Sequence, residues 1–551
     1  MAIKISALPV GSKPPYTGDE LVALVEDPRG TANTTRASLS SAMTYLSGAT
    51  DGAGAPVLAA RLKNNFFNAD QTAHCTLTVE GTLSGSSNFI VGTNITYCTP
   101  TLGSVGGGTA HCIGGSYSTI GGGNDNRTTC NCVTIGGGSG NISSGASVTI
   151  GGGASNVAAG TLGTIGGGSG NRIWACPNAT IGGGCINSAP GAYSTVSGGC
   201  TLSAIGAHSA VLGGLSGCAI GCASTLGGGA CNIAGGDYSV INGGCTNTTT
   251  KDFAVVAGGH QNLAAGLSAT IGGGGCNTAS ANGSVIGGGC KNVANAAEST
   301  VGGGCGNCAT GVCSTVAGGN QSSANGPYSF IGGGNTNTIN SAASAASIVG
   351  GCNNTINGTG DCGFIGGGGC NTINGIYGSV AGGDNNCMTG SYGVVGGGCG
   401  NNTCASCSNI AGGRGNSISC DGTDSTIGGG HCNNVTVCYG TVGGGCGNCV
   451  TSKYGIVVGG DTNIANDCSY VTIVGGCGNT SCGVSYGFIG GGKNNTTSHT
   501  GASIVGSDIS SVGNDIFHTK CLYLSAAALP TSDPGVAGVV WRSGCDLKIS
   551  L

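Results

Sequence analysis

The groups with the most chemistry to offer are 34 cysteines, seven histidines and a few carboxylates, spread through a chain of 551 residues. Thiols can pair as disulfides, hold soft metals or pack as small hydrophobes, and their spacing helps to choose. Cys305-Gly306-Asn307-Cys308 and Cys446-Gly447-Asn448-Cys449 both have the C-x-x-C form of a metal half-site. No histidine stands at zinc spacing from either, and the two are too far apart in sequence to share an ion. Polysaccharide-cleaving spikes need paired carboxylates. Only 11 acidic residues fall between positions 101 and 510, with Asp421 and Asp424 the nearest pair. The histidines are scattered, and none adjoins a nucleophile motif. Arg172-Ile173-Trp174 offers an indole that could stack on a sugar ring, or equally pack beneath its own loop. No catalytic, cofactor or metal site is therefore expected, and a solvated loop is the plainer reading of Asp421 and Asp424.

The elements that would position such groups cannot be those of an ordinary domain. With 120 glycines, 4% aromatic and 7% charged residues, the chain lacks the bulky side chains that fill a large globular core. A mean hydropathy of +0.20 argues against disorder, and 11 prolines are too few for collagen. The net charge of −5 argues against tracking nucleic-acid phosphates. No apolar run approaches the roughly 18 residues of a membrane span, and the start lacks the apolar stretch of a secretory signal.

A repeat accounts for the composition. Taking the apolar residue before each glycine run as position 0 gives Val105, Ile120, Ile135, Ile150, Ile165 and so on to Ile504, 27 units of 15–17 residues. Positions +1 to +3 are typically Gly-Gly-Gly, suited to a tight bend with positive φ. Position +6 is Asn in 22 of the 27 units, among them Asn126, Asn141, Asn156, Asn171, Asn187, Asn292 and Asn479. Asn tolerates left-handed backbone, and stacked Asn side chains can bond from rung to rung. Position +7 or +8 is often apolar, and a second glycine recurs near +10. Two bends per unit leave room for two short strands.

The approach to each position 0 reads Tyr-Ser-Thr-Ile or similar. Strand alternation predicts that 0 and −2 face inwards while −3 and −1 share an outer face. Ile120, Ile135, Ile150 and Ile165 are the expected core. The outer face carries Tyr or Phe at −3, from Tyr117 to Tyr486, and threonines at −1 such as Thr119 and Thr134. That hydroxyl ladder suits β-propensity, with ice binding as a remoter reading. The expected fold is all-β: a parallel β-solenoid, or β-roll, of about 27 rungs stacked at about 4.8 Å, a rod on the order of 130 Å. So thin a roll buries little apolar surface, and self-association over the −3/−1 face is the natural remedy.

Register also sorts the cysteines. Cys218, Cys308, Cys387 and Cys449 fall at +7 in an apolar column, Cys132, Cys313 and Cys407 replace Tyr at −3, and nine fall at +4. Free, packed thiols are the leading expectation, with Cys308 and Cys449 counted in the core. Disulfides between adjacent rungs, such as Cys185 with Cys200 or Cys290 with Cys305, are the second reading. Metal binding is the third.

The ends differ from the middle. Residues 1–60 hold five of the 11 prolines, a strand over 19–26 and a short helix over 38–46. Residues 61–100 read as a transition, 101–510 as the solenoid, and 511–551 as a β cap with a hairpin at 539–549. Ile5-Ser6-Ala7-Leu8-Pro9 with Thr17-Gly18-Asp19-Glu20-Leu21-Val22, and Leu529-Pro530 through Gly538-Val539-Val540-Trp541, resemble the end segments of bacteriophage tail-fibre and other virion appendage proteins. The middle is similar in logic to the stacked heads of trimeric autotransporter adhesins, whose repeats are usually Ala-rich and slightly shorter. It also resembles the Tyr-Ser-x-Ile-Gly-Gly-Gly-x-x-Asn repeats of some viral fibres. The resemblance implies a non-enzymatic homotrimeric phage fibre, made in the host cytoplasm. Residues 1–60 would join tail, baseplate or neck proteins of the virion, and the distal part would meet a host-surface glycan or protein, with Arg172 and Trp174 as candidate contacts. A head or neck appendage without a receptor role, and a polysaccharide depolymerase, are the alternatives.

Overall fold

In the computed structural model, the residues described are 20–26, 32–38, 89–90, 95–97, 102–466, 469–483, 485–520, 529–532, 534, 540–543 and 546–549. Among them there is no helix. The chain divides into two compact units, 1–238 and 239–551.

Both units are parallel β-solenoids. Each rung has two strands, nearly all of two residues, and each strand pairs in parallel with its counterpart in the next rung. In the first unit one ladder runs from Phe89–Ile90 to Thr225–Leu226, and the other from Thr96–Tyr97 to Ile233–Ala234. In the second unit the ladders begin at Val240–Ile241 and Thr248–Thr249 and reach Phe517–Thr519 and Thr496–Thr497. Register follows the repeat, with Ile150 opposite Ile135 and Ile165, and Val157 opposite Ile142 and Arg172. Stacking starts inside the expected transition, since Phe89–Ile90 pairs with Ser104–Val105. It also enters the expected cap, where Phe517–Thr519 pairs with Ser503–Val505.

Two antiparallel hairpins stand near the ends. Glu20–Glu26 pairs with Ala32–Ser38, and Val540–Ser543 with Asp546–Ile549. The helix expected over 38–46 lies outside the described residues except for Ser38, which ends a strand.

Positions 0, −2, +6 and +8 form the interior. Ile120, Ile135, Ile150 and Ile165 are fully buried, as are Ala158, Ala189 and Ala309 at +8. In several rungs volume is exchanged between columns. Where +8 is Ala309, −2 is Ser314; where +8 is Met388 or Val435, −2 is Gly393 or Gly440. A methyl group at Gly440 would stand 2.6 Å from Val435 Cγ1, and one at Gly393 would stand 2.9 Å from Met388 Sδ. Close packing leaves no slack for both columns to be large.

Three expectations need correction. Position −3 is not a strand residue beside −1 but a turn residue in the left-handed region, with Tyr193 at φ 58° and Tyr377 at φ 56°. A residue held there projects from the turn between strands rather than across a sheet face. Apart from the glycine at +3, the other left-handed position is +5, as at Ser155 (φ 55°) and Asp125 (φ 54°), not the Asn at +6. The backbone turns one residue early, which points the Asn inwards. Finally, none of the free cysteines among the described residues is buried. Cys308 and Cys449 begin their strands at +7 and are half-buried, while Ala309 and Val450 at +8 take the interior. Burial still pushes the Cys449 and Cys387 thiols above their ordinary range.

Candidate interaction surface

The left-handed residue at −3 puts its side chain outside the roll, and the rung repeat sets the distance to the next. Its N–H donates to a turn carbonyl of the preceding rung, from Tyr377 to Asp361 at 2.8 Å and from Tyr470 to Lys453 at 3.0 Å. That bond fixes the ring's height. Rings on adjacent rungs therefore lie face to face: Tyr439 on Tyr454 at 4.9 Å, Tyr454 on Tyr470 at 4.8 Å, and Tyr470 on Tyr486 at 5.2 Å. Tyr377 stacks on Tyr392, and His208 takes the same place against Tyr193. Lys453 Nζ lies 5.2 Å from the Tyr454 ring centre and 5.8 Å from that of Tyr439. Stacking covers ring faces but leaves edges and hydroxyls open, so Tyr470, stacked on both faces, is still 49% exposed. The result is an aromatic edge, with a regular row of phenolic groups from Tyr439 to Tyr486. Sequence alone supplied the column but not the stacking, because it placed these rings on a strand.

The sheet face beside this edge carries Thr119, Thr134, Thr149, Thr164, Thr180 and Thr195 in unbroken register. In the second unit some outward positions are apolar, with Val458 and Val474 at +1 and Phe488 at −1, all exposed.

The other candidates sit apart from one another. Trp174 is exposed, its Nε1 donates to Ser188 Oγ at 2.9 Å, and the Arg172 guanidinium lies 3.9 Å from the ring centre. Arg172 thus occupies a ring face that a sugar would need. Asp421 and Asp424 are both exposed in the turn of a lengthened unit, and Asp424 is left-handed with φ 56°. That turn is tied to the preceding rung by a disulfide between Cys404 and Cys420, a pair the register did not single out.

The structural column is the most ordered of the named sets. Asn126, Asn141, Asn156, Asn171, Asn187, Asn292 and Asn479 are all buried. Each Nδ2 donates to a glycine carbonyl in its own rung and to one in the next, as Asn171 does to Gly167 at 2.9 Å and Gly184 at 3.0 Å. His111 is a stand-in for Asn in this column. Its Nδ1 accepts from the Asn126 N–H at 3.2 Å, so its Nε2 carries the proton and donates to Gly107 O at 3.0 Å. Position +6 in the register was the signal for this, hidden by reading histidines only as catalysts.

His431 lies between two thiols, with Nε2 3.4 Å from Cys432 Sγ and Nδ1 3.7 Å from Cys446 Sγ. Burial, and then the Asp461 carboxylate, hold the Cys446 thiol above its ordinary range, so it is not an activated nucleophile. Among the described residues no group of three or more His, Cys, Asp or Glu is arranged to hold a metal ion. Likewise, no helix is long and apolar enough to cross a membrane.

No protein-family profile matches the chain, and no curated protein matches it.

Proposed function

We propose that this protein is a non-enzymatic structural fibre of a bacteriophage virion, assembled as a homotrimer and contacting the host surface. The observation that carries the reading is the uncovered apolar edge. Rings at −3 are exposed along both units, up to 65% at Tyr328, and Val458, Val474 and Phe488 add an aliphatic and aromatic flank. Large apolar groups that recur along one edge, on four successive rungs from Tyr439 to Tyr486, favour association with a surface of the same repeat, which a second and third copy supply. A ladder of main-chain bonds and buried Asn gives stiffness without a thick core, which suits a reach-providing element. The resemblance of the end segments supports attachment to a particle.

Light scattering of the purified chain tests the assembly. A mass near three times 52.1 kDa is expected, and a stable monomer overturns the trimeric fibre. Antibody labelling of particles then tests placement. Label on the tail, with blocked adsorption, is the expected result. Label on head or neck without an effect on adsorption replaces host contact with a purely structural appendage.

A further inference from the structure

The cysteines at +4 follow the glycine bend, on the outside of the roll, and in two places they occupy successive rungs. Cys290 and Cys305 are one such pair, with their backbones bridged in parallel register. Their Sγ atoms are 2.7 Å apart, the Cys290 side chain is exposed, and that of Cys305 is half-exposed. Gly275 precedes Cys290 in the column and Asn320 follows Cys305, so neither has a further thiol at +4. Cys276, on the rung before Cys290, has its own partner in Gln261 Oε1 at 3.2 Å. Adjacent rungs of this same fold already carry a disulfide at Cys404–Cys420, where the Cα atoms are 4.4 Å apart. Rung spacing thus falls within the range a disulfide requires.

We propose that Cys290 and Cys305 form an oxidative modification site, closing a disulfide between neighbouring rungs on exposure to oxidised glutathione. The thiolate of one cysteine attacks a sulfur of oxidised glutathione, forming a mixed disulfide and releasing one glutathione thiolate. The second cysteine, as thiolate, attacks the protein sulfur of that mixed disulfide and displaces the other glutathione thiolate. Two protein thiols have then lost two protons and two electrons, and one molecule of oxidised glutathione has become two of reduced. Opening the pair is the reverse exchange. The hydrogen bond to Cys305 holds the Cys290 thiol above its ordinary range, with desolvation adding to it and neighbouring Lys291 opposing it. Cys276 also raises it weakly. Closure therefore speeds up as pH rises through the mildly alkaline range, because more of the attacking thiol is ionised. The site stands independently of the fibre reading.

The test treats the folded full-length chain with oxidised glutathione, alkylates the remaining thiols, and maps linked peptides by mass spectrometry. A Cys290–Cys305 link, lost on reduction, is the expected result. In Cys305→Ser the second attack has no nucleophile, so Cys290 should be recovered carrying glutathione. Recovery of Cys290 from the wild-type chain as a free thiol, as a lasting glutathione adduct, or linked to Cys276 overturns the proposal.

Discussion

Asn156 receives and gives across three rungs: its N–H donates to Asn141 Oδ1 at 3.0 Å, and its Nδ2 donates to Gly152 O at 2.9 Å and Gly168 O at 3.0 Å. The same pattern repeats at Asn141 and Asn171. The glycine bends leave part-buried carbonyls facing the column. A buried amide that both accepts and donates satisfies them in one residue. The column thus does for the bend what the ladder does for the strands.

Removing one member should therefore cost more than its volume suggests. Asn156→Leu leaves the Asn171 N–H and the carbonyls of Gly152 and Gly168 without that partner. The buried Asn171 N–H costs about 1–3 kcal/mol when stranded, and the part-buried carbonyls add less because Gly168 O keeps the Ala154 N–H, for a total of about 2–4 kcal/mol. The natural Leu202 at +6 is no counterexample, because the next rung makes room with Gly217, where a methyl group would stand 3.4 Å from Leu202 Cδ2 and 2.4 Å from Leu226 Cδ2. Thermal unfolding should place Asn156→Leu well below wild type, and Gly217→Asn should be destabilised too, through overpacking. Equal stability of Asn156→Leu and wild type would remove the column from the account.

Much of this was legible because a repeat reports the same physics many times. Ile150 and Asn156 announce themselves by period, and their interior position follows from it. The left-handed residues were not legible at Tyr193 or Ser155, since β-branched and aromatic neighbours argue for strand while only the turn bond to the preceding rung reveals the reversal. Cys308 misled for a related reason: +7 and +8 both hold apolar residues such as Ile142 and Ile373, yet only +8 faces inwards. The exchange between +8 and −2 was present in the sequence all along, as Met388 with Gly393 and Val435 with Gly440. Seeing it required knowing that the two columns touch. The Cys404–Cys420 bridge lay between two different columns, so comparison down single columns could not find it.

The glycine triplet separates into positions of unequal demand. Gly184 has φ +90°, and an added methyl group there would run into the Gly199 carbonyl and lie 2.6 Å from Asn187 Nδ2. At Gly183, by contrast, nothing stands within 4 Å. Gly184→Ala should lose more than about 2 kcal/mol, from left-handed strain and displacement of the Asn187 amide together. Gly183→Ala should stay within about 0.5 kcal/mol of wild type. Denaturant midpoints for the two variants check the contrast, and similar losses at both would refute it.

Tyr454 allows backbone strain and ring stacking to be measured separately. It is left-handed, with φ 60°, and its ring lies between Tyr439 and Tyr470 with Lys453 alongside. Tyr454→Ala removes both stacks, each contributing about 0.5–1.5 kcal/mol, but keeps an L side chain in the left-handed region. Tyr454→Gly removes the same stacks and relieves that strain, which is about 1 kcal/mol for a residue with a Cβ. The glycine variant should therefore be the more stable of the two by about 1 kcal/mol, a reversal of the usual order at strand positions. If the aromatic edge is also where chains meet, both variants should shift sedimentation towards smaller species at low concentration, and by similar amounts, because both lack the ring. A stability order with alanine above glycine would place Tyr454 back on a strand. An unchanged assembly in both variants would move the contact between chains to the Val458, Val474 and Phe488 flank.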